Sequence, residues 1–188
     1  MVEVFKNKGL RILLLTNALI LISSAMLAPI YAFFIEGVGG DILDASFAGT
    51  AFALTAALTS FVTGKMSDKV REGEFVVILG YSLMALGYFL LIFVDSIGSL
   101  LFVQILLGFG EAIYSPSFDA LYSKHLDKNK AGEEWGAWES TNYITIAAGA
   151  LLGGLIANSF GFDFLFLIMG VISTFSAIYI LLLPRKVL

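Results

Sequence analysis

The sequence predicts an all-α membrane protein built from six transmembrane helices. Of its 188 residues, 59% are hydrophobic and only 14% are charged, whereas soluble domains are about 45–50% apolar and about 25% charged. The mean hydropathy is +0.91. The apolar residues fall in runs of about 20, the length at which an α-helix crosses about 30 Å of hydrocarbon. These three observations exclude a soluble globular domain.

Six apolar runs are interpreted as one helix each, within a single domain that covers residues 1–188. The expected bounds are 10–35, 45–64, 75–94, 97–122, 135–160 and 163–184. The joints between them are short and polar, as in helix bundles. The first run follows basic residues, as the core of a secretory signal does, but it is longer than the about 7–15 apolar residues of such a core. We therefore expect it to be retained as the first span.

The polar content of the runs predicts a different place for each. The first run contains the amide Asn17 and a late proline, Pro29, and the second is uncharged and ends at a basic loop. The third and sixth carry little polarity beyond serine and threonine and are expected to be lipid-facing supports. The fourth contains Glu111 and Asp119, and the fifth contains Glu139. An acid at mid-membrane costs roughly 2.5–3.5 kcal/mol on insertion scales, so these acids need a structural or functional reason.

The placement of charge predicts the topology. All eleven basic residues lie in the N-terminal tail, in the joints after the second and fourth runs, and at the C-terminus. Because cytoplasmic loops are enriched in lysine and arginine, both termini are expected in the cytoplasm, with the chain in the plasma (inner) membrane. The basic residues are spread thinly over one face, so nucleic acid is not an expected partner. With no cysteine and one histidine, the sequence predicts neither a metal site nor a cofactor.

The two halves of the chain resemble each other when one is shifted by 87 residues. The shift aligns Asn17 with Gln104, Pro29 with Pro116 and Gly49 with Gly136. Because three spans separate the members of each pair, the two triplets would cross the membrane in opposite directions. Such an inverted three-plus-three repeat is a transporter architecture, in which matching helix breaks point to the binding site. The alternative is that each proline is a kink whose freed backbone groups are satisfied by neighbouring helices.

A cytoplasmic loop carries a motif of a known family. After the second run, residues 64–69, Gly-Lys-Met-Ser-Asp-Lys, resemble the signature that the major facilitator superfamily has between its second and third helices: a glycine, three residues, then aspartate and a basic residue. Arg71 stands where the family has a second glycine, and either Lys69 or Arg71 could pair with Asp119. The cytoplasmic gate residues that the resemblance implies are Gly64, Asp68, Lys69, Arg71 and Asp119.

Glycines in the fourth and fifth runs extend the resemblance over the whole chain. Gln104 and Gly108 fall in a pattern similar to the family's fourth-helix motif, with Gln104 where an arginine is usual. Gly149, Gly153 and Gly154 fall at glycine positions of its antiporter motif. Small residues let membrane helices approach closely. These glycines would be explained either by static helix packing or by an interface at which the helices rock. The residues expected at helix contacts are Pro29, Pro116, Gly108, Gly149, Gly153 and Gly154.

The family's architecture, in which the first, fourth and fifth helices surround one cavity, implies a pathway for a solute or for protons. Its candidate residues are Asn17, Gln104, Glu111, Glu139 and Asn142. Glu111 lies roughly 20 Å into the fourth span, and a carboxyl in a water-accessible cavity can couple transport to the proton gradient. The alternative is a glutamic acid kept neutral by hydrogen bonds between helices. Asp119 lies nearer the cytoplasmic end and is expected to be structural.

The resemblance implies that the chain is one half of a twelve-helix fold, similar to the N-terminal half. We expect a transporter unit that moves a small solute by alternating access, rather than an enzyme. A lone chain would turn its polar residues towards lipid, so a parallel homodimer is the expected working unit. The alternatives are a non-transporting scaffold or regulatory partner and a truncated N-terminal half of a longer transporter. The expected partners are thus the lipid bilayer, a small solute and a second copy of the chain.

Overall fold

The computed structural model describes residues 7–67, 70, 72–127 and 129–183, and this part of the chain is helical without strands. Its elements are α1 Lys8–Leu27, a 3₁₀ helix Ala28–Ile30, α2 Tyr31–Gly37, α3 Ile42–Ser67, α4 Gly73–Leu91, α5 Ile97–His125, α6 Ala131–Phe160 and α7 Phe162–Leu181. Six stretches of the described chain are long and apolar enough to cross a membrane: α1 with α2 forms the first span, and α3 to α7 provide spans two to six. The predicted all-α fold with six transmembrane helices is therefore confirmed.

Polar residues at helix starts explain why several helices extend beyond the apolar runs. Asp41 caps α3, because its Oδ1 accepts hydrogen bonds from the backbone N–H groups of Leu43 at 2.7 Å and Asp44 at 3.0 Å. The helix α6 begins at Ala131, before the predicted residue 135, and carries two glutamates in its first turn. The helix dipole favours acids at that end. Hydropathy excludes such residues from a span, although they stabilise the helix that forms it.

The two prolines that the repeat aligns have different effects on their helices. Pro29 lies in the short 3₁₀ helix that separates α1 from α2, so the first span is interrupted there. Proline has no backbone N–H to donate and its ring crowds the preceding turn, which accounts for a break. Pro116 instead lies inside α5, which continues without interruption to His125. A helix break is thus present in the first span and absent from the described fourth span.

The spans pack in pairs that relate the two halves of the chain. Span one packs against spans five and six, span four packs against spans two and three, and span three also packs against span six. In the predicted repeat, spans one, two and three correspond to spans four, five and six. The contact of span one with span five then corresponds to the contact of span four with span two, and the contact of span one with span six corresponds to that of span four with span three. The packing therefore supports the inverted repeat, whose two opposite orientations stay a prediction.

Glycines mark the closest approaches between paired spans. A methyl group at Gly153 would overlap the carbonyl oxygen of Met26 on span one, and one at Gly149 would lie 2.8 Å from the carbonyl oxygen of Ile22. On the other side of the molecule, a methyl at Gly108 would lie 2.6 Å from a backbone carbonyl oxygen of span two. Gly154 differs, because a Cβ there would meet nothing within 4 Å in the described structure. Of the two adjacent glycines, only Gly153 allows two helix backbones to touch.

Spans two and five have the fewest buried residues. Within the most apolar window of each span, 6% of the residues of span two and 17% of those of span five are buried, against 39–44% in the other four. Large side chains such as Leu58 and Tyr143 project from these two spans with 73% and 68% of their surface exposed. Two sides of the bundle are therefore without a protein neighbour in the described chain.

Candidate functional site

A cavity of about 510 Å³ lies between spans one, two, three and four, with one residue of span six in its wall. Its volume falls in the range of about 300–1,000 Å³ that small-molecule sites usually have. The walls are mostly apolar and include Phe52, Met84 and Met169. The polar side chains that line the cavity are Ser24, Tyr31, Tyr88, Gln104 and Glu111. Two of the five predicted pathway residues, Gln104 and Glu111, thus share one cavity.

Glu111 is the only carboxylate among the described residues that line this cavity. It lies near the middle of α5, and its Oε2 accepts a hydrogen bond from the hydroxyl of Tyr114 at 3.0 Å. Tyr114 is one helical turn further along the same helix and is buried, so the bond holds the carboxylate from within its own span. Glu111 is thus fixed by a hydrogen bond within its own span and also lines the cavity.

Gln104 joins the fourth span to the break in the first span. Its side chain is 7% exposed, and its Nε2 donates a hydrogen bond to the hydroxyl of Tyr31 at 2.8 Å. Tyr31 begins α2, directly after the 3₁₀ helix that contains Pro29. The interruption at Pro29 therefore sets the position of a cavity-lining side chain.

Asn17 lies behind the cavity rather than on its wall. It is 3% exposed, and the hydroxyl of Tyr81 donates a long hydrogen bond of 3.5 Å to its Oδ1. The ring of Tyr81 packs edge-on against that of Tyr114, with 4.9 Å between the ring centroids. Asn17 is thus connected to Glu111 through two buried tyrosines, although it does not touch the cavity space.

The structure does not bring Glu139 and Asn142 to this cavity. Both are on span five, which packs against span one on the other side of the molecule and contributes none of the described lining residues. Glu139 is exposed, and Asn142 is half-buried with an Oδ1 that has no hydrogen-bond partner in the described structure. Within the described chain, these two residues do not line this cavity, and a pathway shared by spans one, four and five stays a prediction.

Spans three and six, which were expected to be lipid-facing supports, contribute side chains to the cavity. Met84 and Tyr88 of span three and Met169 of span six line it. The hydroxyl of Tyr88 is hydrogen-bonded to that of Ser24 at 2.7 Å. The reason is that spans three and six pack against each other inside the six-helix unit, whereas spans two and five lie at its outer sides.

The predicted cytoplasmic gate is only partly within the described residues. Asp68, Lys69 and Arg71 lie outside them. Gly64, near the end of span two, faces open space, and Asp119 is an exposed residue in the last third of span four. Two hydrogen bonds connect spans two and four nearby: Thr63 Oγ1 donates to the carbonyl oxygen of Ala112 at 2.6 Å, and the hydroxyls of Ser67 and Ser117 are 2.6 Å apart.

The tyrosines of the site were not among the sequence candidates. In a chain with 17 phenylalanines and 7 tyrosines, an aromatic residue inside a span is most simply interpreted as packing. A phenol hydroxyl in hydrocarbon nevertheless needs a hydrogen-bond partner, which phenylalanine does not. Tyr31, Tyr81, Tyr88 and Tyr114 each have such a partner on or next to the cavity. The sequence signal that could have identified these residues is a tyrosine within a span, where phenylalanine would serve for packing alone.

Comparison with families of known proteins gives a match over nearly the whole chain. The model of the Major Facilitator Superfamily matches residues 13–187. The matched region contains all of the cavity-lining residues and every described span except the first residues of span one.

Individual relatives fall into two length classes. The chain is 30% identical to the multi-drug resistance efflux pump PmrA of Streptococcus pneumoniae, over 90% of this chain and 43% of that protein. It is 25% identical to the multidrug resistance protein MdtG of Yersinia enterocolitica, over 89% of this chain and 41% of that protein. The chain therefore spans less than half the length of these two relatives. With the uncharacterized transporter YitZ of Bacillus subtilis it is 25% identical, over 77% of this chain and 87% of that protein.

Proposed function

Because this chain belongs to the major facilitator superfamily, we propose that it forms one six-helix half of a transporter that moves a small solute across the membrane by alternating access. The observation that carries the proposal is the 510 Å³ cavity with Glu111 and Gln104 on its wall. A carboxylate costs free energy in the membrane, so one that lines a cavity is a functional candidate by default. In alternating access, two such halves rock about a central site and expose it to each side in turn.

The cavity favours a lipophilic cation as the solute. Its walls are apolar and aromatic, and they include Phe52 and Tyr88, while Glu111 supplies a single negative charge. Aromatic faces and a carboxylate together attract a flat or bulky cation that carries its own apolar surface. The two multidrug relatives are named for resistance to drugs, which agrees with a pocket that selects by polarity and shape. Proton exchange at Glu111 couples movement of this solute to the proton gradient, which supplies the driving force.

Flux of ethidium provides the direct test of this function. Proteoliposomes that contain the chain, with an imposed proton gradient, are expected to move ethidium faster than protein-free liposomes, and collapse of the gradient with a protonophore is expected to stop the excess flux. Binding of tetraphenylphosphonium to the purified chain is measured in parallel. Absence of excess flux together with absence of binding would contradict the proposal.

The second half of the transporter is proposed to be another copy of the chain in the same orientation. The sequence argument for a dimer needs correction, because Asn17 and Gln104 are 3% and 7% exposed and are buried by their own chain. The support comes instead from spans two and five, which have the fewest buried residues. A closed two-fold pairing would place span two of one copy against span five of the other, and so cover both faces at once.

Disulfide cross-linking tests this arrangement in a chain that has no native cysteine. Leu54 and Tyr143 are 59% and 68% exposed. Both lie at a similar depth: Leu54 is roughly 20 Å from the end of span two, and Tyr143 is roughly 18 Å from the start of span five, on the same side of the membrane. A double Leu54→Cys, Tyr143→Cys variant is expected to form a covalent dimer on oxidation in membranes. Leu79→Cys with Val171→Cys, on spans three and six, is the matched control and is expected to stay monomeric. Equal cross-linking of the two pairs would contradict the proposed interface.

Both termini are proposed to lie in the cytoplasm. The segregation of the eleven basic residues supports this orientation. A reporter that is active only in the cytoplasm, fused after Leu188, is expected to be active, whereas the same reporter inserted in the joint 36–44 is expected to be silent. The reverse pattern would overturn the topology.

A further inference from the structure

A second groove lies between spans one, five and six, separate from the solute cavity. It has a volume of about 320 Å³ and shares no lining residue with that cavity. Most of its wall is the apolar side of span one, including Leu14, Leu15 and Ala18. Its polar lining consists of Arg11, Thr141 and Tyr179, one from each of the three spans. No carboxylate is among the described residues that line it.

The polar end of the groove is at one surface of the membrane. Arg11 lies in the first turn of span one, and Tyr179 lies in the last turn of span six, two residues before the helix ends at Leu181. These two helix ends are on the same side of the bilayer, because an even number of spans connects them. Arg11 is exposed, and so is Lys8, one turn earlier on the same side of the helix. The groove thus has a positively charged end at the membrane surface and an apolar wall that continues along span one.

We propose that this groove binds an acidic phospholipid, with its phosphate on Arg11 and an acyl chain along the apolar wall of span one. A guanidinium matches phosphate oxygens in a bidentate geometry, and the hydroxyl of Tyr179 can donate to the same headgroup. The hydroxyl of Thr141 donates to the carbonyl oxygen of Ala137 at 2.8 Å, so its oxygen can only accept from a lipid. Basic pockets between transmembrane helices are a recognised way of holding anionic lipid headgroups. A soluble anion lacks the apolar chain that the rest of the groove accommodates, which favours the lipid.

Tryptophan fluorescence can measure this binding without any assay of transport. The chain has two tryptophans, Trp135 and Trp138, both on span five, and Trp138 is one helical turn from Thr141 in the groove. The full chain is reconstituted in phosphatidylcholine bilayers in which either brominated phosphatidylglycerol or brominated phosphatidylcholine replaces part of the lipid. Bromine quenches tryptophan at contact, so the quenching curves give the relative affinity for the two headgroups.

The expected result is a preference of about fivefold for brominated phosphatidylglycerol, the size of effect that one basic residue has at an anionic membrane surface. Arg11→Gln is expected to reduce the ratio to about one. Lys124→Gln, which removes an exposed basic residue at the end of span four, is the matched control and should leave the ratio unchanged. Ala18→Leu narrows the groove with Arg11 intact and should also reduce the preference.

Three outcomes would overturn the site. The first is equal quenching by both lipids in the unaltered chain. The second is a preference that survives Arg11→Gln. The third is an equal loss in Arg11→Gln and Lys124→Gln, which would mean diffuse attraction of acidic lipid to the basic face rather than binding in the groove. Circular dichroism of each variant verifies that helix content is retained.

Discussion

Glu111→Gln is expected to reduce proton-driven ethidium flux by roughly 100-fold or more, the size of effect that loss of a proton-transfer group has in enzymes. Glutamine keeps the shape of the side chain and can still accept the hydrogen bond from Tyr114, which the carboxylate accepts at 3.0 Å. It carries no charge to attract a cation and cannot exchange a proton. The measurement is the initial rate of flux in proteoliposomes under an imposed proton gradient.

The matched control for this experiment is Glu139→Gln. Glu139 is a glutamate in the first third of span five, but it is exposed and lies outside the cavity. Its substitution is expected to leave flux within about twofold of the unaltered chain, because Glu139 does not line the cavity and an exposed side chain of the described structure tolerates substitution with a small effect. Thermal unfolding in detergent is expected to be unchanged in both variants. Normal flux in Glu111→Gln would show that the carboxylate has a structural role only.

Gly153→Ala is expected to destabilise the six-helix unit more than alanine at any other described glycine. A methyl at this position would overlap the carbonyl oxygen of Met26, which belongs to the backbone of span one and cannot move without the helix. Overpacking of this kind typically costs about 1–3 kcal/mol, and spans one and five must separate to relieve it. We expect the midpoint of thermal unfolding in detergent to fall and the variant to aggregate during purification.

Gly154→Ala is the control for this prediction, since the two glycines are adjacent on the same helix and have the same cost in helix propensity. A Cβ at Gly154 meets nothing within 4 Å in the described structure. Alanine is a better helix former than glycine by about 0.8–1.0 kcal/mol, so Gly154→Ala is expected to be neutral or slightly stabilising. Similar unfolding midpoints for the two variants would contradict the close contact between spans one and five.

The sequence predicted the fold because each span is a local property of the chain. A run of about 20 apolar residues is long enough to cross the hydrocarbon wherever it occurs, and backbone groups inside the membrane must then be satisfied by a helix. No knowledge of neighbours is needed for either statement. The differences at the helix ends, such as the start of α6 at Ala131, arise because the polar residues that begin a helix are those that hydropathy excludes from a span.

The sequence predicted only part of the candidate site. It identified the residues that are unusual within a membrane span and missed those that are common there. Glu111 and Gln104 were identified because a carboxylate and an amide are costly within a span, and both line the cavity. Tyr31 and Tyr88 line it too, but an aromatic residue in an apolar helix carries little signal of its own. Glu139 has the same chemical type as Glu111 and lies outside the cavity, so residue type alone did not distinguish the two.

Which side of each helix meets protein was decided only by the tertiary structure. In a soluble protein the apolar side of a helix faces the core, so periodicity predicts orientation. In a membrane the lipid is as apolar as the core, so the hydrophobic effect gives no preference between the two, and helices associate through close contacts of small groups. Gly153 and Gly154 are identical as residues, yet they point about 100° apart around the helix. Only Gly153 meets the backbone of Met26, because the packing of span one against span five selects one side of the helix and leaves the other side open.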